Sequence, residues 1–391
     1  MSDGIPADRD LHTDGGPDTV AVVGGGAVGA TAAYDLARHD VDVTLFEAGH
    51  VAGGSSGRAA GICYDAFAED VDARVAARAV ERFRAFDGHG DFDFEETPYV
   101  WLARTGDDRR ADAIREQVPR MRANDRDVAL LDADDLATEF PTLRTDDVAV
   151  AAVARDAGVV DPATYPPLLA SLAADEGATV REATPVRVAL DGDGQHGPAV
   201  LHDDGERQAF GAVLVAAGAH TKRLLADAGI PIAMKPYRVQ ALTASFDRNV
   251  PVCYDATAGV YLRPHPDGLL VGDGTEEREA DPDDWRRAAD DWFVDGAVTA
   301  VAERTGREPS VERAWAGLCT ATPDRDPLAG ELDDGLYVAT GFQGHGFMRA
   351  PALGEAVAAE MLGGDGIEPF APTRFDGDES FAVVEGMVVD G

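Results

Sequence analysis

The sequence predicts an α/β protein, α+β overall, in which a parallel βαβ core carries an inserted antiparallel-sheet domain. Three observations predict it. An apolar run, Val20 to Val23, leads into a glycine turn and a small-residue helix. The same succession of buried strand, small-residue turn and helix returns far downstream, at 212–225 and again at 336–362. Between these lie stretches of different texture, 92–153 and 233–320, with charged helices and long strands but without glycine-rich nucleotide turns.

The first unit is TVAVVGGGAVGATAAYDLARHDVDVTLFE, residues 19–47. Its opening run suits a strand buried on both faces. Gly24, Gly26 and Gly29 follow at G-x-G-x-x-G spacing. The first glycine permits a tight turn, the second lets backbone approach a pyrophosphate, and the third lets helix pack on strand. Ala27 and Val28 open the helix, where free N–H groups and the dipole favour negative charge. A second strand, 41–46, ends on Glu47, placed to accept from ribose hydroxyls. Strand, turn, helix, strand and terminal acid together predict a Rossmann-like dinucleotide site. They do not distinguish NAD from FAD.

Composition bounds the remaining classes. A chain of 391 residues can bury a large core and accommodates two domains. No apolar run reaches the roughly 20 residues of a membrane helix, and the Gly/Asp-rich residues 1–18 lack the basic and apolar regions of a secretory signal. A cytoplasmic protein with a disordered lead-in is expected. With 72 acids against 34 lysines and arginines the formal net charge is −38, and Lys222 and Lys235 are the only lysines. Acids scattered in pairs read as a solvated carboxylate shell suited to concentrated salt. Such a charge argues against nucleic-acid binding. Cys63, Cys253 and Cys319 are too scattered for a disulfide framework, and nine histidines show no ligand spacing, so no metal is expected.

In chain order, AGHVAGGSSGRAAGIC follows Glu47, a loop of small residues with Ser55, Ser56 and Arg58. A helix is expected over 70–86, a strand at 99–103, and charged helices near 107–124 and 132–139. Asp161 and Pro162 read as N-cap and first residue of a further helix. Strands and an acidic hairpin follow, with Val186 in the first of them. A long strand spans 231–245, and a hairpin at 261–274 turns at Pro266-Asp267-Gly268. Residues 282–303 read as an amphipathic helix whose Trp285, Trp292 and Phe293 belong to the core. Last come WAGLCTATPDRDPLAG and LYVATGFQGHGFMRAPALGEAVAAEML, with a helix beginning near Pro351.

GSSGRAAG, the Ala217-Gly218 turn, WAGLCTATPD set against a W-A-G-L-x-P-x-T-P-D pattern, and the GFQGHGF loop, in that order, resemble the D-amino-acid-oxidase-like flavoproteins. That group includes sarcosine oxidases, glycine oxidase and amino-acid dehydrogenases. The resemblance runs from Thr19 to about Leu362. It implies FAD, with a flavin domain from 19–91, 154–232 and 321–391 and a substrate domain from 92–153 and 233–320. Flavin contacts are implied for Ser55, Ser56, Arg58, the backbone of Val186, Ala217, Gly218, Gly341, Gly344, His345, Gly346 and Phe347. The second helix N-terminus would face the flavin edge that gains charge on reduction, a feature with no use in a nicotinamide enzyme.

The implied activity is oxidation of the C–N bond of an amino acid or N-methyl amino acid, with hydride passing to flavin N5. A substrate carboxylate calls for a cation, preferably arginine; Arg349, Arg58 and Arg263 are the candidates, with His345 nearby. Tyr237 and Tyr261 read as packing residues. Three positions depart from the group. Cys319 stands where glycine-oxidase-like members carry a carboxylate-gripping arginine. Gly317 stands where some sarcosine oxidases tether the flavin through cysteine, which implies non-covalent FAD. Leu270 stands where those oxidases place a lysine, which favours a dehydrogenase with an electron-acceptor protein as partner. The competing readings are a 2-hydroxyacid-type dehydrogenase and a flavin-bearing subunit of a larger complex.

Overall fold

A computed structural model describes residues 16–190 and 197–384. Most of the expected lead-in, the tip of the acidic hairpin and the last seven residues lie outside them.

The nucleotide core is a six-stranded sheet. Edge to edge it runs Leu328–Asp333, Leu336–Thr340, Ala212–Val215, Thr19–Val23, Asp42–Phe46 and Thr179–Arg181. The last five are parallel and the first is an antiparallel edge. Val20, Ala21 and Val22 are fully buried, as a strand covered on both faces requires. Helix Ala27–Ala37 packs against helix Gly346–Met361 and helix Tyr165–Asp175.

The second sheet has eight strands. Their order is Ser310–Ala321, Lys235–Ser245, Gly268–Gly272, Val260–His265, Val252–Asp255, Tyr99–Arg104, Val148–Ala154 and Val128–Leu131. Six of its seven pairings are antiparallel, and the seventh, Val252–Asp255 with Tyr99–Arg104, is parallel. Those two strands come from the two sequence stretches that the sheet joins. Side-chain alternation gives each face its own role. Val100, Leu102, Cys253, Leu262 and Val271 pack beneath helix Asp291–Thr305. Tyr99, Trp101, Tyr254 and Tyr261 face the nucleotide domain.

Helices at Asp70–Phe86, Asp108–Ala123 and Ala133–Glu139 match the expected spans. Three starts differ. Asp161 and Pro162 do not open a helix: Asp161 caps a turn by accepting from Ala163 N–H, and the helix begins at Tyr165, where Pro166 and Pro167 need no donor. The 282–303 segment is helical only from Asp291; Trp285 precedes the helix, Phe293 is buried, and Trp292 is 57% exposed rather than in the core. The last helix begins at Gly346, so Pro351 lies inside it. Among the described residues no helix is long and apolar enough to cross a membrane.

Candidate active site

Adjacent parallel strands end at Val23, Val215 and Thr340, so the turns 24–29, 216–218 and 341–346 leave the same carboxyl edge. In a sheet of this kind ligands bind outside that edge. The first turn is shaped by its glycines. Gly24 has φ +116°, and a Cβ there would lie 2.5 Å from the Ala216 carbonyl oxygen; a Cβ on Gly29 would overlap the Gly24 carbonyl. Gly26 is the N-cap of the helix, and Ala27 N–H donates to Ser56 Oγ at 2.9 Å. The Glu47 carboxylate accepts from Gly25 N–H at 2.8 Å and Gly49 N–H at 2.7 Å. Its two oxygens retain acceptor capacity for a ribose.

The small-residue loop is pinned from both sides. Ser55 Oγ donates to the Leu318 carbonyl at 2.6 Å, and Arg58 Nη1 donates to the Gly53 and Gly54 carbonyls at 3.2 Å. Val186 pairs with His202 in a separate three-stranded sheet, and its side chain is core. Ala217 caps a short 3-10 turn containing Gly218, whose carbonyl accepts from Thr340 Oγ1.

The closing turn is held in left-handed conformations at Gly341, Gln343 and Gly344, with φ +76°, +48° and +82°. Thr320 Oγ1 accepts from Gly341 and Phe342 N–H at 3.1 and 3.3 Å, and the helix then starts at Gly346. Phe347 is buried and stacks on Phe83. His345 lies edge-on to the rings of Tyr64 and Phe67, its Nε2 3.4 Å from the Tyr64 hydroxyl. Burial, then the nearby Arg349 charge, push its pKa down to about 3, so the imidazole is neutral.

The three candidate arginines are treated differently. Arg349 is 5% exposed; its Nη1 donates to Asp72 Oδ1 at 2.7 Å and its guanidinium lies over Phe67. Arg58 is partly exposed and engaged with backbone. Arg263 is 6% exposed and, among the described residues, donates to the Ala60 and Pro264 carbonyls alone. No carboxylate among the described residues reaches ion-pair distance of it. Burial pushes its pKa below the ordinary arginine value. It stands opposite Leu270, on the sheet face that also carries Tyr261. Sequence reasoning missed Tyr64, Phe67 and Asp72. The signal for the first two was CYDAF directly after the glycine loop; nothing local marked Asp72 as the partner of a residue 277 positions away.

The FAD dependent oxidoreductase family matches residues 19–360. The chain belongs to that family. Its site fits FAD on structural grounds: a glycine cradle that a single Cβ would fill, a capping acid with lone pairs to spare, and two helix N-termini at one sheet edge. Among curated relatives it is 31% identical to the tRNA 5-methylaminomethyl-2-thiouridine biosynthesis bifunctional protein MnmC of Maricaulis maris (strain MCS10), over 95% of this chain. It is 27% identical to glycine oxidase of Geobacillus kaustophilus (strain HTA426), over 87% of this chain and 91% of that one. It is also 27% identical to 4-methylaminobutanoate oxidase (formaldehyde-forming) of Paenarthrobacter nicotinovorans, over 88% of this chain. The chain spans 57% of the MnmC protein and 43% of the last. Among solved structures, L-proline dehydrogenase from P.horikoshii superposes with TM-score 0.83 at 26% identity, covering 92% of this chain and 97% of that one. Glycine oxidase from Geobacillus kaustophilus superposes with TM-score 0.81 at 24% identity, covering 92% and 99%, a likeness of fold.

Proposed function

We propose that this flavoenzyme oxidises the C–N bond of an amino acid or N-methyl amino acid whose carboxylate is met by Arg263. The observation that carries the carboxylate is the burial of that guanidinium without an acid among the described residues, in a chain where acids outnumber basic side chains two to one. A buried charge is costly unless paired, and its position beside Ala60 of the flavin loop makes a bound anion the natural partner. Arg349 does not compete for that role, since Asp72 already neutralises it. The C–N bond rests on relatives named for amine and amino-acid oxidation.

FAD supplies the two-electron oxidation when bound. The chain's own residues bind and orient. Gly24 to Gly29, Glu47, Ser55, Ser56, Ala217 and Gly218 would hold the dinucleotide. Gly341, Gly344, His345, Gly346 and Phe347 would close over its ring. The N-terminus of helix Gly346–Met361 favours negative charge at that place. His345, neutral, offers a hydrogen bond to Tyr64 or ligand rather than a positive charge. Gly317 offers no side chain for a covalent tether, so FAD is held non-covalently. Leu270, buried opposite Arg263, gives no ammonium group to promote reaction with oxygen. An acceptor other than oxygen is therefore favoured.

The test is anaerobic bleaching of the flavin by sarcosine, dimethylglycine, D-proline and D-alanine against 2-hydroxyglutarate. Amines should bleach it and the hydroxyacid should not; bleaching by the hydroxyacid alone overturns the C–N assignment. Arg263→Met should raise KM for a bleaching amino acid about a hundredfold with a much smaller change in kcat, and an unchanged KM removes Arg263 from the site.

A further inference from the structure

The segment Phe381–Val384 has no regular structure and few residues of its own to bury, yet it is held firmly. Val383 is 4% exposed and packs with Tyr237 and Ala321; Phe381, Val239 and Cys319 border the same cluster. Lys235 donates to the Phe381 carbonyl and lies over its ring, so one of the two lysines in the chain serves this contact. Gln343 Nε2 donates to the Val384 carbonyl at 2.6 Å, which fixes the orientation of the amide. Its Oε1 is buried without a partner among the described residues.

The place that this segment covers is where both cofactor segments meet the second sheet. Gln343 is in the closing turn, between Phe342 and Gly344, and a Cβ on Gly344 would lie 3.6 Å from the Tyr237 hydroxyl. Ser55 of the glycine-rich loop is bonded to Leu318, the neighbour of Cys319. A Cβ on Gly317 would lie 3.9 Å from Cβ of Arg58. Tyr237 and Cys319 face each other across adjacent strands and are hydrogen-bonded.

We propose that Phe381 and Val383 form a wall of the substrate site over Tyr237 and Cys319, and that this wall sets the size of the apolar group a substrate can carry. The proposal rests on the functional reading above. The wall presents apolar side chains, Val383 and Phe381 with Val239 beside them, over a protonated Cys319 thiol that is bonded to Tyr237. It therefore takes an alkyl side chain or N-alkyl group and leaves the carboxylate to be met elsewhere.

Two readouts test it on the FAD-loaded full-length protein. The first needs no substrate. Cys319 is half-buried, whereas Cys63 and Cys253 are buried. Val383→Ala and Phe381→Ala should each raise N-ethylmaleimide labelling of Cys319, read by peptide mass, at least tenfold. The second is the ratio of kcat/KM for N-butylglycine to that for sarcosine. Val383→Ala should raise it about tenfold or more, on the scale of one methylene in an apolar pocket, and Val383→Trp should lower it. An unchanged visible spectrum and melting temperature identify variants that have kept their fold and flavin. Unchanged labelling in such variants, or a ratio within twofold of wild type, overturns the wall. If labelling rises but neither amine reduces wild-type flavin, the amine reading falls and the size-selection claim falls with it, while the cover over Cys319 stands.

Discussion

Gly354 crosses Thr31 with no room for a methyl group: a Cβ on Gly354 would sit 2.6 Å from Cβ of Thr31 and 2.8 Å from the Val28 carbonyl oxygen. This contact lets helix Gly346–Met361 lie against helix Ala27–Ala37 and brings their N-termini to one sheet edge. Gly354→Ala should therefore act twice. Overpacking should lower stability by about 1–3 kcal/mol, seen in urea unfolding of apoprotein. Spreading of the helices should also weaken FAD retention, seen as faster flavin release by fluorescence. Normal retention with normal stability would remove the crossing from the design of the site.

The Arg349–Asp72 pair joins the last helix to helix Asp70–Phe86 with both side chains nearly enclosed. Arg349→Ala strands a buried carboxylate and should cost about 3–5 kcal/mol. Chemical denaturation measures this directly. If Arg349 instead gripped the substrate, stability would be kept and KM would rise.

The pKa of His345 is held down to about 3, against an ordinary value near 6.5. Between those values the unfolded chain binds the proton and the folded chain does not, so the contribution to stability is complete above about pH 6.5. It declines as pH falls and is fully lost below about 3. His345→Gln should flatten that part of the acid limb in a pH series of thermal melts. The same shift predicts that no step in kcat between pH 5 and 8 belongs to this imidazole.

With 72 acids on one chain, self-repulsion should dominate stability at low ionic strength. Raising KCl from 0.1 to 2 M should raise Tm by ten degrees or more, on the order of 2–4 °C per kcal/mol recovered in a domain of this size. A flat salt series would show that exposed ion pairs such as Arg84 with Glu96 and Asp156 already balance the surface.

Much of this was legible because it is local. The glycine turn, its flanking strand and helix, and the GFQGHGF turn are set by residues within a few positions of one another. Glycine alone tolerates the φ of +116° at Gly24 and the close approach at Gly29. The helix starts expected at Asp161 and Pro351 differ locally: Asp161 caps a turn ahead of helix Tyr165–Asp175, and helix Gly346–Met361 begins five residues before Pro351.

The sequence by itself determined the dinucleotide turn, the order of the glycine-rich segments and the acidic surface, because backbone conformation and net charge follow from residue type and spacing; FAD rather than NAD rested on the resemblance those segments carry. Only the tertiary structure decided which buried candidate arginine keeps an unspent charge. Asp72 reaches Arg349 across 277 positions and leaves Arg263 without an acid among the described residues, and no spacing rule relates residues that meet only when two sheets close on each other.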